Sequence, residues 1–218
     1  MSGNYKSVFD IIGPVMVGPS SSHTAGAVAI GQAAHKIFGE NVKKITVDYY
    51  ESFAKTHQGH GTDFAVIAGA LGMQTDDLRV PRAVELARAK GIEVIFNEHE
   101  EDSPIDHPNT AIITLENEHK IAKVGGCSIG GGTIEIRALE IDGYEFSPLG
   151  PLPIMLCWTE ADFTDHIKES LSKDHIKIRK VVSSVKKGSW AHEFDLDRLP
   201  PKNILEQIKA QSRSMICL

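Results

Sequence analysis

The stretch GPSSSHT, residues 18–24, gathers side chains that could bind a small anion or transfer a proton. It precedes a run whose apolar residues follow the spacing of an amphipathic helix. The first N–H groups of a helix lack internal partners and carry a partial positive charge, so hydroxyl groups placed there favour a carboxylate or phosphate ligand. The alternative is a capped helix that packs tightly on its neighbour. The five side chains concerned are Ser20, Ser21, Ser22, His23 and Thr24.

Two glycines, Gly26 and Gly31, interrupt this predicted helix. Each costs about 1 kcal/mol relative to alanine in a helix interior. We therefore expect a ligand or a second backbone to approach the helix closely at these positions.

A second cluster lies in KTHQGHGTDFA. Gly59 and Gly61 flank His60, and because glycines shield a neighbouring ring poorly, this imidazole is available for proton transfer near neutral pH. Thr62 and Asp63 follow at the start of a further helix, where they are also typical caps. A solvated loop histidine followed by two caps is the alternative interpretation.

Two further loops complete the candidates. In DHPNT, Pro108 fixes its own φ and favours an extended conformation at His107, which orients the side chains of His107 and Asn109. In GGCSIGGGTIEI, five glycines between residues 125 and 132 would let backbone amides approach an anion. A simple turn and a glycine-rich hairpin tip are the alternatives.

The other histidines show fewer features of a chemical site. His57 shares the loop of His60, so a functional role for it stays open. The remaining six are predicted to be solvated at the surface: His35, His99, His119, His166, His175 and His192.

Hydrophobic periodicity and turn residues predict the elements that position these side chains. Three prolines and a glycine in 147–153 mark a boundary between a domain at 1–147 and one at 152–218. Beyond the boundary, the order β-α-β-β-α-β is that of a ferredoxin-like domain. In the first domain, helices are predicted over 22–38, 62–72 and 81–91, strands over 42–53 and 92–100, a hairpin over 111–126, and a glycine loop with a strand over 130–146.

Composition argues against several classes of function. The 218-residue chain has a net charge of −6 and no cluster of Lys and Arg, so we expect no nucleic-acid partner. Its longest apolar run is far short of a membrane span and its N-terminus lacks a secretory pattern, so we expect a cytoplasmic protein without a membrane segment. Three widely spaced cysteines, Cys127, Cys157 and Cys217, are too few for a four-cysteine cluster and are expected to pack in the core.

Four motifs in order resemble the β chain of the iron–sulfur-dependent L-serine dehydratases of Gram-positive bacteria: SVFDIIGPVMVGPSSSHTAGA, GHGTD, HPNT and SIGGGTIEI. The similarity covers about residues 5–150. It implies an α/β (α+β) fold class, in which a domain akin to the allosteric substrate-binding domain of phosphoglycerate dehydrogenases precedes a ferredoxin-like ACT domain. The ACT-like domain would serve regulation or assembly.

The resemblance also implies a reaction and partners. Family members deaminate L-serine to pyruvate and ammonia, and a separate α subunit holds their 4Fe–4S cluster. An open iron of that cluster acts as a Lewis acid on the β-hydroxyl while a base removes the α-proton. A homodimer or a heterotetramer is the implied assembly.

The same motifs assign roles to residues of this chain. Three histidines are marked as catalytic, His23, His60 and His107, with either His23 or His60 as the base. The serines and the threonine of SSSHT would surround the carboxylate and ammonium groups of the substrate. The implied substrate-binding residues are Ser20, Ser21, Ser22, Thr24, Gly61, Thr62, Asp63 and Asn109.

Two features depart from the family pattern. ACT domains usually place a glycine-containing turn between their first strand and first helix to admit an amino acid, and CWTEADFTDHI contains no glycine. In addition, Cys217 lies on this chain, whereas the tail cysteine that can bind the family's cluster belongs to the α part. The missing cluster ligands and the similarity to a dehydrogenase regulatory domain support a second hypothesis, a non-catalytic module that senses an amino acid or an anion.

Overall fold

The computed structural model describes residues 15–218, and this part of the chain divides into two compact units between Asp142 and Gly143. The sequence instead placed the domain boundary at 147–152. Residues 7–14 of the first motif lie outside the described residues. No helix within residues 15–218 is both long and apolar enough to cross a membrane.

The first unit is built on a five-stranded sheet with helices packed against it. A π-helical turn, Ser21–Ala25, continues directly into helix α1 (Gly26–Phe38). The other helices are α2 (Glu51–Thr56), α3 (Thr62–Ala70) and α4 (Ala83–Ala89), the last preceded by a 3₁₀ turn, Val80–Arg82. The strands are β1 (Lys44–Tyr50), β2 (Glu93–His99), β3 (Asn109–Glu116), β4 (Ile121–Gly130) and β5 (Thr133–Ile141).

Within the first unit the strand order is β2-β1-β3-β4-β5. Strands β1 and β2 are parallel, and the remaining neighbours are antiparallel. Since β3 and β4 pair through a short polar turn, the predicted hairpin is confirmed. Near the end of β4, Ser128 lies against Gly26 at the start of α1.

One predicted strand is wrong at its end. The pattern extended it to Phe53, but β1 ends at Tyr50 and α2 begins at once with Glu51. The N–H groups of Ser52 and Phe53 both donate to the carbonyl oxygen of Pro108, at 2.9 and 3.3 Å. This partner is distant in sequence, so local periodicity contains no sign of the change from strand to helix.

Glycines allow α1 and α3 to cross in backbone contact. A Cβ atom on Gly31 would lie 2.3 Å from the carbonyl oxygen of Val66, and one on Gly69 would lie 2.1 Å from that of Val28. The expectation of a second backbone beside Gly31 is confirmed. At Gly26 a side chain fills the space instead, because a Cβ there would lie 2.1 Å from Oγ of Ser128 (Ser128 is on β4).

The second unit has the predicted element order. Its four main strands are β8 (Ile154–Thr159), β9 (Ile178–Lys186), β10 (Ser189–Leu196) and β11 (Ser214–Cys217), preceded by the short β6 (Tyr144–Phe146) and β7 (Gly150–Pro151). Helices α5 (Thr164–Lys173) and α6 (Lys202–Gln211) complete β-α-β-β-α-β. The four main strands pair antiparallel in the order β11-β8-β10-β9, which is that of the split βαβ arrangement. Cys157 and Cys217 lie in the core of this unit and Cys127 in that of the first, as predicted.

The prediction that His192 is solvated is wrong, because its ring is fully buried on β10. The hydroxyl of Thr159 donates to the carbonyl of Ala161 at 2.6 Å, so it accepts from Nε2 of His192 at 2.9 Å. Nδ1 is then the acceptor for the hydroxyl of Ser183 at 2.8 Å, with the Thr164 hydroxyl 3.2 Å away. Hydroxyl partners on three surrounding elements thus satisfy a neutral ring in the core, and burial lowers its pKa.

The other predictions of surface histidines are confirmed at four positions. His99 is half-buried, since it stacks on Tyr50 and its Nε2 lies 2.8 Å from a carboxylate oxygen of Asp48. The exposed residues are His35, His119, His166 and His175.

We predict that Gly31→Ala lowers the free energy of unfolding by about 1–3 kcal/mol, because the added methyl group meets a backbone carbonyl that cannot rotate away. Urea denaturation followed by circular dichroism measures the loss. Lys36→Ala, an exposed position in α1, is the control and should stay within about 0.5 kcal/mol of the parent. Equal stabilities for Gly31→Ala and the control would contradict the close crossing.

We also predict that His192 makes the second unit less stable in acid. Since its folded-state pKa is lowered, its contribution is fully present above the unfolded value of about 6.5 and is lost as the pH falls through the folded value. Buried Glu193 and Asp195, whose pKa values burial raises, act in the opposite direction. The effect of His192 is therefore obtained by comparing the pH dependence of stability in the wild type with that in His192→Gln.

Tryptophan fluorescence measures this effect selectively, since both tryptophans of the chain, Trp158 and Trp190, lie in the second unit. Between pH 7.5 and 5.5, the urea midpoint should fall further in the wild type than in His192→Gln. His175→Gln, at an exposed position, is the control and should follow the wild type. Parallel pH profiles for the wild type and His192→Gln would contradict the prediction.

Candidate active site

Three segments of the first unit converge at the start of α1. They are the π-helical turn that holds the serines, the loop between α2 and α3, and the HPNT segment that leads into β3. The turn forms because Ser20 adopts an extended conformation and its Oγ accepts from the backbone N–H of His23 at 3.2 Å. The backbone N–H groups of Thr24 and Ala25 both donate to the carbonyl oxygen of Ser20, at 2.8 and 3.3 Å.

Hydroxyl groups hold the imidazole of His23 in one orientation. Oγ of Ser22 lies 2.9 Å from Nδ1 of His23 and 3.3 Å from Oγ of Ser20. On the opposite side of the ring, Nε2 is buried and has no hydrogen-bond partner. A neutral ring that donates from Nδ1 to Ser22 therefore leaves its Nε2 lone pair unused.

Two aromatic rings contact the ring of His23. The His60 ring meets His23 edge-on with centroids 4.7 Å apart, and the ring of Phe53 lies at 5.2 Å. Burial, with a smaller contribution from the positive charge that His60 can carry, lowers the pKa of His23. The imidazole of His23 is thus kept neutral, and an unpaired buried acceptor of this kind costs about 1–3 kcal/mol until a ligand satisfies it.

The loop that carries His60 joins α2 to α3. Gly61 has φ of 72°, a left-handed conformation that turns the chain into α3, and a Cβ there would lie 2.2 Å from the Phe64 ring. The hydroxyl of Thr24 donates to the carbonyl oxygen of His60 at 3.3 Å, which ties this loop to the serine turn. Thr62 is fully buried at the first position of α3, and its hydroxyl has no hydrogen-bond partner.

Asp63 is engaged by a neighbour in the same loop. Its Oδ1 lies 2.6 Å from Nδ1 of His57, and Nε2 of His57 lies 2.7 Å from a carboxylate oxygen of Glu98 on β2. The His57 ring is 3% exposed and stacks on Tyr49 with centroids 4.7 Å apart. His57, whose role the sequence left open, is therefore a buried ring between two carboxylates.

His107 and Asn109 belong to the HPNT segment, which contacts the serine turn through other residues. The backbone N–H of Asn109 donates to Nδ1 of His107 at 3.1 Å, so a neutral His107 carries its proton on Nε2. Burial and the nearby charge of Arg137 lower the pKa of His107, although surrounding carboxylates oppose the shift. The side-chain amide of Asn109 donates to the carbonyl oxygen of Ser128 at 3.3 Å.

Two contacts connect the HPNT segment to the serine turn. In the first contact, Ser128 packs against Gly26, which directly follows the turn. In the second, the carbonyl oxygen of Pro108 accepts from the first N–H groups of α2. Helix α2 also contains Phe53, whose ring contacts that of His23. The candidate residues that direct contacts join are Ser20, Ser22, His23, Thr24 and His60. His107 and Asn109 are linked to this group only through other residues. Ser21 is the partly exposed first residue of the turn.

Sequence reasoning missed Phe53 and the side chain of Ser128. Phe53 was hidden by the wrong assignment of its segment as strand. Ser128 lies within the glycine-rich motif, for which the sequence predicted a role of the backbone amides and none of the side chains. Gly130, Gly131 and Gly132 all have positive φ and form the tip between β4 and β5, which agrees with the hairpin alternative.

The cysteines do not fit a metal cluster. Burial raises the pKa of Cys127 to about 11 and that of Cys157 to about 12, whereas a cluster ligand must be a thiolate. Residues 15–218 contain no group of three or more His, Cys, Asp or Glu side chains arranged to hold a metal ion. An iron–sulfur cluster would therefore need ligands from elsewhere.

Comparison with known proteins gives a consistent result. Residues 7–138 match the family model described as serine dehydratase beta chain. The chain is 51% identical over 152 residues to the probable L-serine dehydratase, beta chain, of Bacillus subtilis, an alignment that covers 70% of this chain and 67% of that protein. It is 42% identical over 145 residues to the L-serine dehydratase, beta chain, of Peptoniphilus asaccharolyticus, which covers 64% of this chain and 63% of that protein.

A longer relative shows lower identity. L-serine dehydratase 2 of Escherichia coli is 30% identical over 189 residues, an alignment that covers 75% of this chain and 40% of that protein. The chain thus spans about two thirds of the length of the two beta chains and less than half of the Escherichia coli protein.

We predict that the ring of His23 titrates below the usual value of about 6.5 and that His60→Ala raises its pKa toward that value. The substitution removes the charge of His60 and part of the cover over the His23 ring. Titration of the ring C–H signals by NMR measures both values. His119→Ala, at an exposed position, is the control, and an unchanged His23 pKa in His60→Ala would contradict the observed ring contact.

Proposed function

This chain belongs to the serine dehydratase beta chain family, and from that membership we propose that it is the beta subunit of an L-serine dehydratase. In the proposed reaction L-serine loses water across its Cα–Cβ bond and gives 2-aminoacrylate. This enamine tautomerises to the imine, and addition of water then releases pyruvate and ammonia. The observation that carries the proposal is the buried, unpartnered Nε2 of His23 beside His60 in a turn lined with hydroxyl groups.

His23 is the proposed base. Its lowered pKa favours the neutral ring, and in the tautomer that donates from Nδ1 to Ser22, Nε2 is free to accept the α-proton of serine. The imidazolium that results would still donate from Nδ1 to Ser22. His60, which is exposed and in edge contact with His23, would admit the substrate and receive the proton onward.

The serine turn is the proposed binding site for the amino-acid head group. Ser20, Ser21 and Ser22 are partly exposed, so their hydroxyl groups remain within reach of a ligand. Thr24 is fully buried and already donates to the carbonyl of His60, which supports a role in holding the loop rather than in touching substrate. The carboxylate of serine would lie at the positive start of the helix.

On the far side, the HPNT segment is the proposed second wall. The lowered pKa of His107 keeps that ring neutral as well, and Asn109 is fixed by Ser128. In this proposal Gly61 provides the turn before α3, and the unpartnered hydroxyl of Thr62 offers a further polar group.

We also propose the assembly that the family implies. The described cysteines are buried and do not form a cluster site, so the 4Fe–4S cluster would reside on an alpha subunit docked over the exposed side of His60. The first unit would be the substrate-binding domain and the second an ACT-like domain for regulation or assembly, in a homodimer or heterotetramer in the cytoplasm. The strand order of the second unit supports that assignment.

We predict that His23→Ala and His60→Ala each lower kcat at least ~10²-fold in a complex reconstituted anaerobically with the alpha subunit, because each removes a proton-transfer group. Pyruvate formation from L-serine is the measurement. His119→Ala is the control and should remain within twofold of the wild type. Losses below tenfold in both variants would place the base on the other subunit.

The isolated chain provides a separate test. If the alpha subunit completes the site, calorimetry should detect no micromolar binding of L-serine to this chain alone. Micromolar binding without a partner, together with no turnover in the complex, would favour an amino-acid sensor instead.

A further inference from the structure

We propose that His57 is a positioning residue that holds the His60 loop in the active geometry and that Asp63 serves this purpose rather than binding substrate. The expected effect of His57 on catalysis rests on the proposed function. Its structural part, the placement of His60 against His23, stands independently and can be measured without turnover.

The contacts of His57 close the loop at its base. His57 directly follows α2 and Asp63 lies in the first turn of α3, so the 2.6 Å bond between Nδ1 and Oδ1 joins the two ends of the segment that carries His60. The backbone repeats this closure, because the N–H of Thr62 donates to the carbonyl of His57 at 2.9 Å. His60 lies between these two joined ends.

The same ring fastens the loop to the sheet. Nε2 of His57 lies 2.7 Å from a carboxylate oxygen of Glu98 on β2, and the ring stacks on Tyr49 of β1. Only 3% of His57 is exposed, so water does not compete for its two ring nitrogens. The loop is thus anchored by one buried side chain to a helix and to two strands.

Glycines make this anchor necessary. Gly59 and Gly61 flank His60, and glycine permits more backbone conformations than any other residue. The contact between His60 and His23, with ring centroids 4.7 Å apart, would otherwise be one of many arrangements. A proton-transfer group that is displaced by an ångström loses much of its rate advantage.

Asp63 has little capacity left for a substrate ammonium group. Its Oδ1 is engaged by His57, its side chain is only 22% exposed, and Tyr49, whose pKa burial and Asp63 raise, covers it from the sheet. A direct ligand would require free carboxylate oxygens facing the serine turn. The contacts of Asp63 instead point to His57 and the sheet.

The decisive variant is His57→Phe, which keeps an aromatic ring to stack on Tyr49 and removes both hydrogen bonds. In the reconstituted complex we expect kcat to fall at least tenfold while KM for L-serine changes less than threefold. His99→Phe is the matched control, since His99 likewise stacks on a tyrosine, Tyr50, and bonds to a carboxylate, Asp48, while its described ring contacts and hydrogen bonds do not include His57 or His60. It should stay within twofold of the wild type.

NMR of the full chain alone supplies a readout that loss of stability would not move. In folded His57→Phe, the nuclear Overhauser effect between the rings of His23 and His60 should disappear, and the pKa of His23 should rise as in His60→Ala. Retention of both signals would overturn the proposal. This measurement needs no alpha subunit. An inactive wild-type complex would therefore refute the proposed function and leave the positioning role of His57 to be judged by NMR alone.

Asp63 variants distinguish positioning from substrate binding and serve if His57→Phe fails to fold. Asp63→Asn keeps an oxygen that accepts from His57, whereas Asp63→Ala does not. We expect kcat of Asp63→Asn to exceed that of Asp63→Ala at least tenfold, with similar KM values. A comparable rise in KM in both variants would show that the carboxylate binds the substrate and would overturn the inference.

Discussion

The crossing of α1 and α3 is the constraint on which the candidate site depends. Each helix begins next to a candidate histidine, His23 before α1 and His60 before α3, so the distance between the helices sets the distance between the two rings. Gly31 and Gly69 allow the backbones to touch, since a methyl group at either position would collide with a carbonyl oxygen of the opposite helix. Close helix packing is therefore a condition of the ring contact and not merely a contribution to stability.

Buried imidazole rings in the two units differ in how their nitrogens are satisfied, and the difference has chemical meaning. The second unit satisfies buried His192 on both nitrogens with hydroxyl groups, which is the usual way to keep an imidazole in a core. The first unit does the same for His57 with two carboxylates. His23 differs because Nε2 is left without a partner. Under the proposed function, a bound ligand could satisfy this buried ring nitrogen.

The proposed site is one half of a catalytic centre. In the proposal, this chain would contribute His23 as a base whose pKa burial lowers, a helix start for the carboxylate, and a loop bonded to the buried ring of His57. Burial raises the pKa values of Cys127 and Cys157, which opposes the thiolate form that a cluster requires. The proposed function therefore divides the work between two polypeptides, with proton transfer on this chain and the cluster on its partner.

The sequence by itself determined most elements, the β-α-β-β-α-β order along the second unit, and the three motifs that hold the candidate residues, because periodicity, caps and glycines act over a few neighbours. Tertiary structure decided the rest. Phe53 is helical because of the Pro108 carbonyl, His192 is buried because hydroxyls from other elements surround it, and Asp63 bonds to the buried ring of His57. In each case the deciding partner comes from another element, and a hydrogen bond or close packing between separate elements leaves no trace in local spacing.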